Sequence, residues 1–516
     1  MTLAEVFLIM LGLALAAGIL SGIPAMLAIA GVPFVMALLG SLVGVFDLGF
    51  LNFFPARVYG IMSNPLLMAV PLFVLMGVLL EKSRVSERML QVLGQMLGGS
   101  ARGMAVSVLI FSAIIAASTG IVGATVVMLV LMSLPAMLQA GVPKPLASGL
   151  ICAGGTLGQI IPPSILLVLL GDQIGNTYLE AQQRAGNFAP DAVSVGDLFA
   201  GALLPGLMLV GLYALYAFAV LTIAGRAAPA PVGTRPPLQR PPLGVILGSF
   251  APPLLMILAV LGSILAGVAT TTEAAGLGAV GALMMAGYHR PGRGRGRVLV
   301  GLGALAVLAL LVLRLMTTGR AGAVATGLAV LLVVLLLLGL AVAVWKLWRA
   351  GVLAPATEET LRITGMVFGI VIAASMLALV FRGFGGEEAA AHLLGNLPGG
   401  EWGALFIIMG LVFLLGFLLE AIEIIYIVVP LLGPPLLGGD ISPVWFGVLL
   451  AMNLQTSFLT PPFGFALFYF RSVAPREITT RDTYLGVAPF VVLQLIGLAI
   501  LIAFPALATW LPGVLF

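Results

Sequence analysis

Long apolar stretches separated by short polar segments run through almost the whole chain. Most of them are long enough for a membrane-spanning helix, which needs about 20 predominantly apolar residues. Near the N-terminus lie two apolar stretches, 3–30 and 31–53, broken by Gly22, Pro24, Gly31 and Pro33, and a polar segment at 171–197 predicts a loop outside the membrane. The pattern therefore predicts an all-α polytopic membrane protein.

Two of the apolar spans are interrupted by polar residues followed by a pair of prolines. Their sequences are GGTLGQIIPP at 154–163 and NLQTSFLTPPFG at 453–464. Proline removes a backbone donor and disrupts the helix before it, and non-helical backbone is tolerated at bilayer depth only beside protein or a water-filled cavity. The predicted helix breaks are therefore Pro162 with Pro163, and Pro461 with Pro462. Corresponding interruptions in two halves of a chain indicate a transporter's binding site.

An apolar run with a polar middle precedes each broken span. The first, 104–138, is interrupted by ASTGIVGAT, and the second, 402–437, by LLEAIEI. Each run has the length of two half-length helices, which predicts a helical hairpin that enters and leaves the membrane on one side. Glu420 and Glu423 are three residues apart, so they share a helix face if that piece is helical.

The same order of hairpin and broken helix in both halves predicts an inverted repeat with its sites near the middle of the membrane. Lys and Arg clusters between spans mark cytoplasmic segments. The expected first repeat is 1–225, with scaffold spans, a hairpin at about 104–138 and a broken helix at 146–170. A Pro-rich cytoplasmic linker follows at 226–242. The expected second repeat is 243–516, with two extra spans at about 298–345, a hairpin at about 402–437 and a broken helix at 444–470.

Composition excludes several other classes of protein. The chain of 516 residues is 61% hydrophobic and 8% charged, whereas a soluble globular domain is roughly 25% charged. The net charge of +4 comes from basic clusters between spans, which orient helices and do not indicate a nucleic-acid partner. The single Cys152 excludes an intramolecular disulfide, and His289 and His392 lack metal-ligand spacing. The chain shows no catalytic set of an intramembrane enzyme and no continuous polar lining of a channel.

Five motifs in order give the sequence a specific resemblance. GGTLGQIIPPS, SVGDLFAGALLPG, TTTEAAGLGA, LLEAIEIIYIVVP and NLQTSFLTPPFG occur from residue 154 to residue 464. Together they resemble the large membrane subunit of tripartite ATP-independent periplasmic (TRAP) transporters, the DctM-type permease. The resemblance covers nearly the whole chain. It implies an elevator-type secondary transporter with a scaffold, and with a mobile domain that carries two hairpins and two broken helices.

The resemblance also implies partners and a location. These are sodium as the coupling ion without any other cofactor, a periplasmic solute-binding protein of the DctP type, and the bacterial inner membrane. A small membrane subunit of the DctQ type is expected on a separate chain, because no four-helix extension precedes residue 1. The implied substrates are small organic anions, carboxylates that include 2-oxo or 2-hydroxy acids. The alternative is a stand-alone sodium/dicarboxylate elevator symporter that needs no binding protein.

Sodium prefers oxygen ligands, which broken helices supply as freed carbonyls and nearby hydroxyls. Each candidate taken alone is also explained as a structural break, and the pairing of a hairpin tip with a break in both halves favours ion sites. A carboxylate at membrane depth costs about 2.5–3.5 kcal/mol on insertion scales, so Glu420 and Glu423 need a partner, an ion or a cavity. The predicted ligands are Ser118, Thr119, Gly155, Thr156 and Gly158 in the first half, and Glu420, Glu423, Thr456, Ser457 and Thr460 in the second.

Two departures from the family pattern stand out. About 60 residues with two extra spans follow the TTTEAA motif, and the first hairpin tip has fewer serines than the family usually carries. Glu273 within TTTEAA is expected to cap a helix start, where an acid suits the helix dipole.

Overall fold

The computed structural model describes residues 2–516 except 84, 97–99, 228–240, 291–294 and 317–322, and it leaves out the side chains of residues 118, 119, 224–227, 315 and 323. The described residues form helices and turns without any strand. Ten helices within these ranges are long and apolar enough to cross a membrane. The predicted all-α, polytopic class is confirmed.

The described residues of the first half, up to the linker, contain ten α-helices. Their bounds are α1 Leu3–Leu20, α2 Ala25–Leu42, α3 Phe54–Ser63, α4 Ala69–Lys82, α5 Val85–Met96, α6 Ala101–Thr119, α7 Val122–Gln139, α8 Lys144–Thr156, α9 Ile165–Arg184 and α10 Val195–Ala227. Most of the predicted linker, 228–240, lies outside the described residues.

The second half contains thirteen helices in its described ranges. Their bounds are α11 Leu243–Leu265, α12 Thr271–His289, α13 Arg295–Met316, α14 Ala323–Arg349, α15 Leu353–Gly383, α16 Gly386–Gly395, α17 Gly400–Leu415, α18 Ala421–Leu432, α19 Pro434–Leu437, α20 Pro443–Leu459, α21 Phe465–Val473, α22 Thr480–Ala503 and α23 Ala506–Leu515. The two extra spans are α13 and α14, which pack against each other and against α12.

Of the four breaks predicted near the N-terminus, Gly22 and Pro24 are confirmed, whereas the boundary at Gly31 and Pro33 is wrong. The first break lies earlier, between Leu20 and Ala25, where Gly22 adopts a φ of +82° that other residues rarely tolerate. Pro33 lies inside α2. Proline is tolerated within membrane helices because neighbouring groups satisfy the freed carbonyl.

The predicted loop at 171–197 is also wrong over its first half, because α9 continues to Arg184. The polar residues that suggested a loop are paired on the helix. The carboxylate of Asp172 accepts hydrogen bonds from the side-chain amides of Asn64 at 3.1 Å and Asn176 at 3.4 Å. Only residues 185–194 are non-helical.

The arms of the first hairpin are longer than the predicted half-length helices. Helices α6 and α7 contain 19 and 18 residues, which correspond to about 27–29 Å of length for each helix. The added length comes mainly from the predicted interruption, since α6 continues to Thr119 and α7 begins at Val122, and partly from the outer ends at Ala101 and Gln139.

One sequence prediction about a helix start is confirmed at α12. The Thr270 backbone N–H donates to the Glu273 carboxylate at 2.8 Å, and the Glu273 N–H donates to the Thr270 hydroxyl at 3.3 Å. This reciprocal pair is a capping box, which satisfies two backbone donors of the first turn.

A close helix crossing fixes the position of the first broken helix. Every residue of α8 from Leu146 to Thr156 is buried. Gly149 lies against Gly486 of α22, and an ideal Cβ added to either residue would overlap backbone atoms of the other helix. Glycine at this crossing lets the two backbones approach, as small residues do between membrane helices.

Candidate functional site

The first break lies between α8 and α9. A short 3₁₀ turn, Leu157–Gln159, follows α8, and residues 160–164 with Pro162 and Pro163 are not helical. The first hairpin turns at Gly120, whose φ is +63°, and an ideal Cβ there would lie 3.1 Å from the Ile165 nitrogen. The hairpin tip therefore meets the N-terminus of α9.

Gly155 and Gly158, two of the predicted first-half ligands, lie against this hairpin. An ideal Cβ on Gly155 would overlap Val126 of α7, and one on Gly158 would lie 3.1 Å from the Ala116 carbonyl oxygen at the end of α6. The two glycines thus bring the break into contact with both hairpin arms. The side chains of Ser118 and Thr119 are outside the part of the chain that the structure describes.

Thr156 connects the two halves of the molecule. Its buried hydroxyl donates to the Ala153 carbonyl at 2.9 Å and accepts a hydrogen bond from the Gln455 side-chain amide at 3.3 Å. Thr156 and Gln455 are 299 positions apart, which is also the number of positions between Pro162 and Pro461. Equivalent positions of the two breaks are therefore in direct contact.

The second break lies between α20 and α21, and it includes Thr460, Pro461 and Pro462. The hydroxyls of Thr456, Ser457 and Thr460 each donate to a main-chain carbonyl three or four residues earlier, at 2.7–2.8 Å. Such bonds use the hydroxyl proton, and the oxygen lone pairs stay available to a cation. These bonds account for the folded positions of the three residues, and their oxygens remain able to act as ligands.

The two acids at the second hairpin tip have different environments. Glu420 is the residue that precedes α18, so the condition for a shared helix face with Glu423, that both lie within a helix, is not met. The buried Glu423 carboxylate accepts a hydrogen bond from the Glu420 N–H at 3.1 Å, which fixes the tip. Glu420 itself lines a cavity.

This cavity, about 230 Å³ in volume, is bounded by both hairpin tips, both breaks and α15. The residues that line it are Gly120, Ile121, Val122, Gly123, Gln159, Ile165, Leu166, Ile363, Met366, Val367, Glu420, Ala421, Ile422, Phe458, Phe465 and Tyr469. No Lys, Arg or His is among these lining residues of the described chain. Glu420, Gln159 and Tyr469 supply its polar side-chain groups.

Four helices begin at the cavity wall. They are α7 after Ile121, α9 at Ile165, α18 at Ala421 and α21 at Phe465. The N-terminus of a helix carries a partial positive charge and unpaired N–H groups, which together favour an anion. The four N-termini thus direct partial positive charge toward a cavity whose lining includes one carboxyl group, that of Glu420.

Sequence reasoning missed two polar residues of this region. Gln159 lines the cavity, and its buried side-chain carbonyl has no hydrogen-bond partner among the described residues. Gln455 joins the breaks through Thr156. Both residues lie within the interrupting motifs, so the sequence marks them as candidates. The roles of Gln159 and Gln455 depend on contacts between the two halves, which the sequence does not show.

Comparison with known proteins gives a family and several relatives. The family model described as the DctM component of the tripartite ATP-independent periplasmic transporter matches residues 8–302 and 293–507. The C4-dicarboxylate TRAP transporter large permease protein DctM of Rhodobacter capsulatus is 26% identical over 457 residues, which cover 87% of each chain. The isethionate TRAP transporter permease protein DctMQ of Oleidesulfovibrio alaskensis is 26% identical over 447 residues, 87% of this chain and 58% of that protein.

Two solved transporter structures share the fold. The YdaH transporter of Alcanivorax borkumensis superposes with a TM-score of 0.52 at 14% identity, over 90% of each chain. MtrF of Neisseria gonorrhoeae gives a TM-score of 0.50 at 11% identity, over 88% of this chain and 84% of that one. At such low identity the likeness concerns the architecture alone.

Proposed function

Because the chain belongs to the DctM family of tripartite ATP-independent periplasmic transporters, we propose that it is the permease of a sodium-coupled importer of small organic anions. Membership makes it a multi-pass transporter subunit of the bacterial inner membrane and not an enzyme. The family implies a small membrane subunit and a binding protein. We assign these roles to a separate DctQ-type chain and a periplasmic DctP-type protein.

The observation that carries the proposal is the cavity between the two tips and the two breaks. Its four helix N-termini suit an anion, and its volume of about 230 Å³ is below the roughly 300–1,000 Å³ of pockets for drug-sized ligands. We therefore favour a small carboxylate, such as a dicarboxylate or a 2-oxo or 2-hydroxy acid. The names of the relatives mention C4-dicarboxylates and isethionate, both of which are small organic anions.

Sodium completes the charge balance of the cavity. Glu420 is an acid at a helix N-terminus beside the proposed anion, so a bound cation is needed to offset the repulsion between the two negative charges. We assign one sodium site to the first tip and break, with Ser118, Thr119, Gly155, Thr156 and Gly158 as ligands. A second site lies at the second tip and break, with the ligands Glu420, Glu423, Thr456, Ser457 and Thr460.

The arrangement of the halves supports an internal repeat with an elevator-type mechanism. Helix α7 of the first hairpin packs on α21 of the second break, and α18 of the second hairpin packs on α9 of the first. This reciprocal exchange and the Thr156–Gln455 contact are expected of a pseudo-twofold axis between the breaks. We propose that the hairpins and broken helices move together as one body against the remaining helices, in two repeats at 1–225 and 243–516.

The test is uptake of labelled carboxylates into proteoliposomes that contain this chain and its small subunit, under an inward sodium gradient. Uptake is expected only with both sodium and the binding protein present. Glu420→Gln should abolish sodium-dependent uptake, whereas Glu388→Gln, at an exposed position, should leave it unchanged. Normal sodium dependence in Glu420→Gln would contradict the assigned site, and uptake without the binding protein would favour a stand-alone symporter.

A further inference from the structure

An apolar groove lies between α11, α12 and the added helix α13, away from the cavity of the proposed transport site. Its volume is about 470 Å³, and its walls include Leu255 and Met256 of α11, Met284 of α12, and Leu305 and Leu308 of α13. The side chains along it are almost all apolar, so a polar solute has nothing to bond to inside it. The groove exists because α13 packs beside α12.

The groove is about as long as one leaflet of a membrane is thick. Along α11 it runs from Leu247 to Ala259, which is about 18 Å at ~1.5 Å per residue. That is a little over half of a hydrocarbon core of about 30 Å. One end of the groove lies at Tyr288 and His289, next to the basic segment that joins α12 to α13.

Cationic groups surround this end. The Arg297 guanidinium lies 4.5 Å from the centre of the Tyr288 ring, which lines the groove. On the neighbouring α14, the Lys346 ammonium is buried without a hydrogen-bond partner among the described residues, and an ideal Cβ on Gly296 would lie 3.9 Å from it. Within the described ranges, no ion pair engages Arg297 or Lys346. A desolvated ammonium without a partner is costly, so a bound anion there would lower the free energy.

The shape of the groove and the charge at one end together favour one kind of occupant. The groove is about 18 Å long and about 470 Å³ in volume, which accommodates a thin, flexible chain. An apolar chain attached to an anionic head matches both the walls and the charged end.

We propose that this groove binds one acyl chain of an anionic phospholipid from the cytoplasmic leaflet, with the head-group phosphate held by the Arg297 guanidinium and the Lys346 ammonium. Basic pockets between membrane helices on the cytoplasmic side are suited to such head groups. The site gives the two added spans a role, since α13 forms one wall and α14 carries Lys346. This inference is independent of the transported substrate.

Native mass spectrometry of the purified full-length chain tests the site, with phosphatidylglycerol, phosphatidylcholine and inorganic phosphate as probes. Gly248 lines the groove and Gly244 precedes it by one turn, and an ideal Cβ at either position has no heavy atom within 4 Å. Gly248→Leu should reduce the occupancy of one bound phosphatidylglycerol at least tenfold, and Gly244→Leu should retain it. Arg297→Gln should reduce the preference for phosphatidylglycerol over phosphatidylcholine. Millimolar inorganic phosphate should not displace the lipid.

Three results would overturn the proposal. The first is equal lipid occupancy in Gly248→Leu and Gly244→Leu, because the groove would then not hold the chain. The second is displacement of the lipid by inorganic phosphate alone, which would indicate an anion site without an acyl chain. The third is loss of the lipid when the small membrane subunit is added, which would assign the groove to that subunit.

Discussion

A ring of four charged residues joins α9 to α15 and α16. Arg382 donates to Glu180 at 2.7 Å and to Glu387 at 2.6 Å, and Arg184 donates to the same two acids at 2.8 and 2.6 Å. The Glu387 side chain is 10% exposed and the other three are 36–46% exposed. We predict that Arg382→Gln lowers the free energy of unfolding measurably, because it removes two of these four contacts.

The magnitude follows from the exposure of the ring. Half-exposed ion pairs contribute about 0.2–1 kcal/mol each, so the loss of two contacts should cost about 0.4–2 kcal/mol. A matched control is Arg362→Gln on the same helix. The pair of Arg362 with Glu358 is 3.5 Å long, with side chains 80% and 75% exposed, so its loss should cost less than about 0.5 kcal/mol.

The assay is denaturant unfolding of the purified protein in detergent, at low and at high salt. The double variant Arg382→Gln with Glu180→Gln completes a cycle, and its effect should be smaller than the sum of the two single effects, because the residues share contacts. Salt should reduce the difference between Arg382→Gln and wild type, since exposed charges are screened. Equal effects of Arg382→Gln and Arg362→Gln, or strict additivity in the cycle, would refute the reasoning.

Two further variants test the packing of the broken helices. Gly486→Ala should destabilise the protein by about 1–3 kcal/mol, because the new methyl group would overlap the backbone of α8. The control is Gly410→Ala, where an ideal Cβ has open space, and it should leave the stability unchanged in the same denaturant titration. Gln455→Met should cost about 0.5–1.5 kcal/mol through loss of the hydrogen bond to Thr156. A Gln455→Met variant as stable as wild type would show that this contact contributes nothing.

Local sequence signals predicted the features that depend on local chemistry. The Pro-Pro pairs lie in non-helical segments, and Thr270 with Glu273 caps α12, because backbone donors and proline sterics act within a few residues. The same local reasoning placed a loop where α9 continues. Asp172 and its neighbours look like loop residues until Asn64, 108 positions away, supplies the hydrogen bond that allows them on a buried helix.

The geometry of the candidate site depended on contacts that the sequence does not display. The convergence of four helix N-termini requires the hairpin of each half to pack on the broken helix of the other. Hydrophobic periodicity predicts that helices exist and says little about which ones meet. The different environments of Glu420 and Glu423 also depend on where α18 begins. Because it begins at Ala421, Glu423 lies in the first turn and Glu420 precedes the helix.

The close crossing of α8 and α22 has a consequence for biosynthesis. Besides the glycine contact, the Lys144 ammonium at the start of α8 donates to the Glu477 carbonyl at 3.0 Å, across 333 positions of the chain. At about 5–20 residues per second, roughly 15 to 70 s of translation separate the two partners. The first broken helix is therefore synthesised early, but its packing against α22 forms only after nearly the whole chain has been made. Until α22 emerges from the ribosome, the polar break after α8 must be shielded from lipid by the insertion machinery or by the helices already in the membrane.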